Sequence, residues 1–353
     1  MKVVVDDKIP YILEPLKELA EEVVALPGRE IRAADVRDAD ILVVRTRTHC
    51  DKALLEGSSV RLVLTATIGF DHLDVAYLHE AGIEWHNCPG CNATSVAQYV
   101  RNSLLALEQD GIIRLDQCTL GIVGVGHVGT AVLEAMQGHV KHILLNDPPR
   151  ESRHDTAPDG YCWSPLAALQ AQCDIITLHT PLVTTGPYPT LHLADSTFLS
   201  ALQRPVVFIN AGRGEVAETK ALLQALADGR IKAAVIDTWE HEPAISRELL
   251  EKVYIGTPHI AGYSADGKAN ATRMVLEHIC RFLGRHMDFR IAPPPLPADF
   301  RPAADSTERH LQLYDPRTDS TRLKAHPELF EQLRGNYPLR REDCALNGAC
   351  SAQ

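Results

Sequence analysis

A glycine-rich turn between an apolar run and a helical pattern constrains the fold of this 353-residue chain more than any other feature. The run Leu120–Val123 leads into Gly124-Val125-Gly126-His127-Val128-Gly129, and a helical pattern continues to Gln137. In such a strand–turn–helix unit, the first glycine permits a tight turn, the second lets the backbone approach a pyrophosphate, and the third lets helix and strand pack closely. The N-terminus of the helix offers free N–H groups to the phosphates. The turn therefore predicts a parallel α/β fold with a dinucleotide site.

The strand predicted after this turn adds an acid at the position that a dinucleotide site requires. It ends in Asp147, eighteen residues past Gly129. A carboxylate there accepts hydrogen bonds from the hydroxyls of the adenosine ribose, and it repels a 2′-phosphate. The sequence therefore favours NAD as the cofactor, although Arg150 keeps NADP open as an alternative. Thr180 follows a later strand at its carboxyl end, where ligands of such sheets bind, and is a further candidate for cofactor contact.

Apolar runs rich in β-branched residues alternate with helical patterns along most of the chain. This alternation is typical of parallel sheets covered by helices on both faces. Because one such α/β stretch precedes the glycine turn, we expect a separate domain before the cofactor domain, with crossing helices near 96–108 and 265–284. After Asp288 the alternation stops, which indicates a small third module. The predicted strands are Lys2–Val5, Ile41–Thr46, Leu62–Ala66, Leu120–Val123, Ile143–Asp147, Ile175–Leu178, Val206–Asn210, Ala234–Asp237 and Tyr254–Gly256.

The charge of the chain excludes some classes of partner. Its formal net charge is −11 at pH 7, so no basic field holds nucleic acid or an acidic membrane surface, and an anionic substrate needs local arginines. The first residues do not resemble a signal peptide, and no apolar run reaches the length of a membrane span. The nine cysteines are odd in number. Together these features predict a cytoplasmic protein with reduced thiols.

Two of the cysteines, Cys88 and Cys91, have the spacing of a redox dithiol or of half a zinc site. The chain has no second pair of this kind, and the Pro-Gly dipeptide between the two cysteines is typical of a turn. We therefore expect a structural turn here, and we predict no metal site in the protein.

Three polar residues in the second half of the chain have the side chains that oxidation of a 2-hydroxy acid needs. Arg213 lies between two glycines after a predicted strand, where its guanidinium is placed to bind a carboxylate. His259 follows a proline in an apolar loop, and Glu242 lies in a turn after another strand. A carboxylate partner favours the imidazolium and fixes its tautomer, so we pair Glu242 with His259. The structural alternatives are a surface turn for Arg213 and a packed side chain for His259.

Taken together, these motifs resemble those of the D-isomer-specific 2-hydroxyacid dehydrogenase family. The glycine turn, the strand-end acid, an Asn-x-x-Arg-Gly turn, an Asp-x-x-x-x-Glu-Pro turn and a histidine after proline occur in the family's order. The resemblance implies a catalytic set of Arg213, Glu242 and His259, with NAD as the cofactor. It implies cofactor contacts at Gly124, Gly126, His127, Val128, Gly129, Asp147, Thr180, Ala211, Gly212, Asp237 and Gly262.

Within the family, the chain is most similar to a subgroup that oxidises a small phosphorylated 2-hydroxy acid. The stretches that carry this likeness include Gly186-Pro187-Tyr188 and Gly262-Tyr263. The likeness implies substrate contacts at Arg45, Thr46, Thr67 and Tyr263. Two other functions stay open: a dehydrogenase acting on phosphoglycerate, glyoxylate or hydroxypyruvate, and an NAD-sensing binding protein without catalysis.

The resemblance also implies an architecture. It consists of two Rossmann-like, doubly wound parallel-sheet α/β domains with an interdomain cleft, and a small C-terminal α+β dimerisation module. The implied boundaries are 1–92 with 263–288 for the substrate-binding domain, 93–262 for the NAD-binding domain and 289–353 for the module. We expect a homodimer, in which Arg340 or Arg341 of one subunit reaches the site of the other.

Overall fold

The computed structural model describes residues 1–346, and these form two compact units. The first unit contains Met1–Asn92 and Ser264–Leu296, and the second contains Ala93–Tyr263 and Pro297–Leu346. The sequence sets residues 289–353 apart as a third module, whereas most of that segment packs within the second unit. The role of the segment in dimerisation stays a prediction.

Parallel strands and helices alternate in both units, which confirms the predicted α/β class. The strands are β1 (Lys2–Asp6), β2 (Glu22–Leu26), β3 (Ile41–Val44), β4 (Leu62–Thr65), β5 (Glu84–His86), β6 (Thr119–Val123), β7 (His142–Asn146), β8 (Ile175–Leu178), β9 (Val206–Asn210), β10 (Ile231–Ile236) and β11 (Ile255–Gly256). The helices are α1 (Leu13–Leu19), α2 (Ala33–Val36), α3 (Lys52–Leu55), α4 (Val75–Glu80), α5 (Ala93–Gln109), α6 (His127–Met136), α7 (Pro148–Ser152), α8 (Leu166–Gln172), α9 (Ser196–Ser200), α10 (Thr219–Ala227), α11 (Arg247–Lys252), α12 (Ala265–Phe282), α13 (Ser306–Leu313), α14 (Pro316–Ala325) and α15 (Phe330–Gly335).

The first unit is built on a five-stranded parallel sheet in the order β2-β1-β3-β4-β5. Strands β3 and β4 are buried along their whole length, which is why they read as unbroken apolar runs in the sequence. The edge strands β2 and β5 are absent from the prediction, because exposed residues such as Glu22 and Glu84 interrupt their apolar pattern. Leu276 and Ile279 of α12 share a buried cluster with Val5 of β1, so this helix covers the sheet.

The second unit is built on a six-stranded parallel sheet in the order β11-β10-β9-β8-β6-β7. The chain enters at β6, places β7 on one side and continues through β8 to β11 on the other. The winding therefore reverses between β6 and β8, and open α/β sheets bind ligands outside the carboxyl ends of the strands at such a point. All the strands predicted for this unit are present, and the largest difference is at β10, which begins at Ile231 rather than at Ala234.

The C-terminal segment of the second unit consists of helices α13 to α15 and short 3-10 turns, and it packs against α5. The side-chain amide of Asn102 in α5 donates hydrogen bonds to the backbone oxygens of His310 and Tyr314, at 3.0 and 2.7 Å. Arg101 forms an ion pair with Asp343. These buried polar contacts explain why the segment joins the second unit. Its described residues contribute none of the named strands, so the predicted mixture of helices and strands is not seen there.

Cys88 and Cys91 are buried, and neither is in a disulfide. Burial raises the pKa of Cys88, which makes its thiol a poor nucleophile and argues against a redox pair. Cys344 is in a disulfide, so the expectation of reduced thiols is wrong at this position. Between residues 1 and 346, no group of three or more His, Cys, Asp or Glu side chains could hold a metal ion. No helix in the same range is long and apolar enough to cross a membrane.

Candidate active site

The glycine turn joins β6 to α6, and each of its three glycines is used differently. Gly124 has a φ of +85°, and a Cβ there would lie 2.9 Å from the carbonyl carbon of His179. A Cβ on Gly129 would collide with the carbonyl oxygen of Gly124, so the third glycine lets α6 pack against the end of β6. A Cβ on Gly126 would meet nothing within 4 Å. The space beside Gly126 is therefore open to a ligand.

The start of α6 is suited to binding an anion. Gly126 is the N-cap residue, and within the described residues no side chain caps the helix. The N–H groups of the first turn, which includes His127 and Val128, are the groups that such a helix offers to a phosphate. The predicted contacts at the turn thus lie where the backbone can reach a pyrophosphate, and the turn fits a dinucleotide.

A buried hydroxyl beside the turn also fits a bound ligand. Thr180 Oγ1 is buried and has no hydrogen-bond partner among residues 1–346. Thr180 Cγ2 would lie 3.0 Å from a Cβ on Gly124, so this side chain contacts the glycine turn. Buried polar groups without a partner are costly in folded proteins and point to a missing ligand or water. The geometry is consistent with the predicted cofactor contact of Thr180.

Asp147 follows β7, where the sequence predicts it, and its carboxylate contacts the glycine turn. Its Oδ2 accepts a hydrogen bond from the Val125 N–H at 2.8 Å, and its Oδ1 accepts one from the Arg150 N–H at 3.1 Å. The side chain of Arg150 donates to the Val125 oxygen at 2.6 Å and lies over the ring of Trp163. Arg150 thus stabilises the turn. The contact of Asp147 with a ribose stays a prediction.

The structure brings Glu242 and His259 together, as the sequence predicts. His259 Nδ1 lies 2.8 Å from Glu242 Oε2 and 3.1 Å from Glu242 Oε1. The same carboxylate accepts a hydrogen bond from the Trp239 N–H at 2.9 Å. Burial raises the pKa of Glu242, but the nearby His259, the Trp239 N–H and Arg334 lower it further, so the pKa is below its usual value. Since Nδ1 is held by this ionised carboxylate, Nε2 is the ring nitrogen left for a substrate.

Asp237, which follows β10, supports the loop that carries the histidine. The His259 N–H donates to the Asp237 backbone oxygen at 2.8 Å. The Asp237 carboxylate is buried and accepts hydrogen bonds from the Thr257 hydroxyl at 2.7 Å and from the Ile260 and Ala261 N–H groups at 2.7 and 3.0 Å. Burial raises the pKa of Asp237. Its carboxylate therefore faces the loop, and its cofactor contact stays a prediction.

Arg213 lies in the turn after β9, and Asn210 shapes this turn. The Asn210 side-chain amide donates to the Arg213 backbone oxygen at 3.0 Å, and its Oδ1 accepts from the Gly212 N–H at 3.3 Å. A Cβ on Gly212 would lie 3.1 Å from the Thr180 backbone oxygen, so the turn packs closely against the end of β8. The turn that contains Ala211 thus lies beside the glycine turn, at the carboxyl edge of the sheet.

Two arginines of the C-terminal segment contact this site: Arg334, which the sequence analysis did not single out, and Arg340, which it expected at the site of a partner subunit. Arg340 donates hydrogen bonds to the backbone oxygens of Ile260 and Tyr263, at 3.0 and 3.1 Å, and also to that of Ala261. Arg340 is buried within its own chain, which argues against its contact with a partner, and the same expectation for Arg341 stays a prediction. Arg334 lies 3.4 Å from both Glu242 Oε2 and Tyr263 Oη. A single arginine in a polar stretch carries no sequence signal of such long-range contacts.

The remaining predicted substrate contacts lie in the first unit, at the carboxyl edge of its sheet. Arg45 follows β3, and its guanidinium binds both oxygens of the buried Asp6 at 3.0 and 3.1 Å. Thr67 follows β4, where its hydroxyl lies 2.7 Å from the Thr65 hydroxyl and donates to the Gly69 oxygen at 2.8 Å. Arg45 is thus held in place by a carboxylate. The substrate contacts of Arg45, Thr46 and Thr67 stay predictions.

Comparison with known proteins identifies the family of the chain. Residues 92–261 match the family model described as "D-isomer specific 2-hydroxyacid dehydrogenase, NAD binding domain". A Bacteroides fragilis protein named erythronate-4-phosphate dehydrogenase is 54% identical over 345 residues, which cover 98% of each chain. An Edwardsiella ictaluri protein of the same name is 45% identical, over 99% of this chain and 95% of that protein.

A solved structure shares the fold. The NAD+-bound 3-phosphoglycerate dehydrogenase of Entamoeba histolytica superposes with a TM-score of 0.67 at 23% identity, over 80% of this chain and 95% of that one. At this identity the likeness establishes the fold alone, and the subgroup follows from the relatives that match along nearly the whole chain. The chain belongs to the D-isomer-specific 2-hydroxyacid dehydrogenase family and, within it, to the erythronate-4-phosphate dehydrogenases.

Proposed function

We propose that the protein catalyses the NAD-dependent oxidation of 4-phospho-D-erythronate to 2-oxo-3-hydroxy-4-phosphobutanoate, a step in the biosynthesis of pyridoxal 5′-phosphate (vitamin B6). The observation that carries the proposal is the Glu242–His259 pair at the same edge of the sheet as the glycine turn, in a chain that aligns with erythronate-4-phosphate dehydrogenases over nearly its whole length. The family and the site together favour this reaction over the NAD-sensing and other dehydrogenase alternatives.

The residues of the site divide the chemistry between them. Arg213 binds the substrate carboxylate, because its planar guanidinium matches that group. His259 removes the proton of the C2 hydroxyl through Nε2, while Glu242 stabilises the imidazolium that forms. A positioned acid–base group of this kind contributes about 10²–10⁴ to the rate. When NAD is bound, its nicotinamide accepts the hydride from C2.

The glycine turn and its neighbours bind NAD in this proposal. The N–H groups at the start of α6 bind the pyrophosphate, and Asp147 binds the adenosine ribose. The family resemblance adds Thr180, Ala211, Gly212, Asp237 and Gly262 as cofactor contacts, and Arg45, Thr46, Thr67 and Tyr263 as substrate contacts. It assigns substrate binding to residues 1–92 and 263–288, NAD binding to residues 93–262 and dimerisation to residues 289–353.

A direct assay tests the reaction. Purified protein is mixed with NAD and 4-phosphoerythronate, with and without a 2-oxo acid acceptor, and absorbance is followed at the band of reduced nicotinamide. We expect turnover on 4-phosphoerythronate and little on 3-phosphoglycerate. Turnover on 3-phosphoglycerate alone would mean that 3-phosphoglycerate, and not 4-phosphoerythronate, is the substrate. NAD binding without any turnover would support the NAD-sensing protein instead.

We propose, on the family resemblance, that the protein works as a cytoplasmic homodimer. Light scattering during gel filtration measures the mass in solution. A mass equal to that of one 38.8 kDa chain would reject the dimer. Fractionation of cells that produce the protein tests the location, and recovery of the protein outside the cytoplasmic fraction would reject it.

A further inference from the structure

One arginine of the C-terminal segment contacts the carboxylate that holds the predicted base. Arg334 lies in α15, and its Nη1 is 3.4 Å from Glu242 Oε2. Its Nε is 3.4 Å from the hydroxyl of Tyr263, whose ring packs edge-on against Tyr337. The side chain of Arg334 is 15% exposed, so the contact with Glu242 is largely shielded from water. Ion pairs that are shielded in this way are screened less by salt than exposed pairs are.

Glu242 therefore lies between two basic side chains. Oε2 contacts both His259 Nδ1, at 2.8 Å, and Arg334 Nη1. Two acidic residues also lie near this cluster: Asp237, which holds the His259 loop, and Glu331, which lies one helical turn before Arg334. Burial lowers the pKa of Arg334, but Tyr263 and Glu242 raise it by more, so its guanidinium stays charged. Arg334 and the His259 imidazole both favour the ionised form of this carboxylate, which binds the imidazole.

We propose that Arg334 is a positioning residue for the reaction: it holds Glu242 ionised and oriented toward His259, and so makes the acid–base pair depend on the C-terminal segment. The proposal rests on the proposed function, because it assigns a role within the same site. Arg334 acts through Glu242 rather than on the substrate. A carboxylate that loses a neighbouring cation becomes easier to protonate and freer to rotate, and both changes leave fewer molecules with a competent base.

The test compares three variants of the full-length protein. Arg334→Gln removes the charge and keeps most of the side-chain volume, and Arg334→Lys restores the charge. Arg317→Gln is the matched control, because Arg317 lies in the same segment and pairs with Asp315 and Asp110 rather than with Glu242. Each variant is first checked for native far-UV circular dichroism, so that a loss of fold is separated from a loss of function.

The first measurement needs no substrate. Carbon-13 NMR of protein labelled at the glutamate carboxyl carbons follows the titration of Glu242, whose signal is assigned by its loss in Glu242→Gln. We expect the midpoint to rise by roughly 1 pH unit in Arg334→Gln, because removal of a nearby cation favours the protonated acid. The midpoint should return most of the way in Arg334→Lys and stay unchanged in Arg317→Gln.

The second measurement is the pH dependence of kcat and KM on 4-phosphoerythronate. We expect Arg334→Gln to lower kcat about tenfold with little change in KM, and to move the acid limb of the profile to higher pH. A raised KM with unchanged kcat would mean that Arg334 binds substrate, and an unmoved Glu242 titration would mean that it only supports the fold. Either result overturns the proposal. If the wild type turns over no substrate but the titration moves as expected, the proposed function fails and the positioning role stands.

Discussion

Replacement of Arg340 by methionine should destabilise the second unit, because this arginine donates hydrogen bonds to five oxygens within that unit. Its guanidinium donates hydrogen bonds to the backbone oxygens of Ser95, Ile260, Ala261 and Tyr263 and to the side-chain oxygen of Gln98. The side chain is 8% exposed, and its charged group lies 4.1 Å from the centre of the Tyr314 ring. Methionine keeps the aliphatic volume and removes every donor.

The expected loss follows from the acceptors left behind. A buried acceptor without a partner costs roughly 1–3 kcal/mol. The Ile260 oxygen also accepts a hydrogen bond from the Tyr263 N–H at 2.9 Å and so keeps a partner. Loss of the other hydrogen bonds of Arg340 lowers the free energy of unfolding by about 4 kcal/mol. Since Ile260 and Ala261 directly follow His259, we expect activity to fall as well.

Urea unfolding, followed by tryptophan fluorescence, measures this loss. The indole of Trp239 is buried and donates to the Thr257 oxygen at 2.9 Å, so its emission reports on the loop that Arg340 holds. With an m-value near 3 kcal/mol per M, a loss of about 4 kcal/mol lowers the midpoint by roughly 1.3 M. Arg301→Met, an exposed position in the same segment, should leave the midpoint unchanged. A midpoint lowered by less than about 0.3 M in Arg340→Met would refute this reasoning.

The remaining predictions concern the base, the cofactor and acid stability. Glu242→Gln should lower kcat/KM and change its pH profile, since the base loses its charged partner; an unchanged profile would contradict the pairing. Gly126→Ala should weaken NAD binding, measured by calorimetry, without lowering Tm, because a Cβ there meets only open space, whereas Gly129→Ala should lower both. The Asp343 carboxylate is half-buried, which raises its pKa, but its bonds to a histidine and an arginine lower the pKa further, to below its usual range. Its contribution to stability is therefore complete at neutral pH and lost as the pH falls below about 4, so urea midpoints of wild type and Asp343→Asn should converge in acid.

Local patterns account for the parts of the fold and of the site that the sequence predicts. Strands β6, β8 and β9 of the second unit are almost completely buried, so each is an apolar run that can be recognised without knowledge of its neighbours. The edge strands β2 and β5 contain exposed residues, and the same rule fails for them. The glycine turn is recognisable because backbone geometry within six residues dictates it.

The pairing of Glu242 with His259 could also be predicted from the sequence, because both follow strands of one parallel sheet and the carboxyl ends of such strands share an edge. The directions of individual side chains could not be predicted. Asp237 follows a strand at the same edge, yet its carboxylate accepts hydrogen bonds from the Thr257 hydroxyl and from the N–H groups of the loop after His259. Its position in the sheet follows from the sequence, but the partners of its oxygens depend on the path of the loop.

The sequence by itself determined the two parallel sheets, the glycine turn and the residue types of the acid–base pair, because periodicity and turn chemistry act over a few neighbouring residues. Only the tertiary structure decided that the C-terminal segment packs within the second unit and that Arg334 and Arg340 contact the site. These contacts join residues that lie about 80 or more positions apart, such as Arg334 and Glu242 or Arg340 and Ile260. A long side chain that meets its partners across such a distance leaves no periodic pattern in the chain, so its role emerges only when the packed elements fix where it can reach.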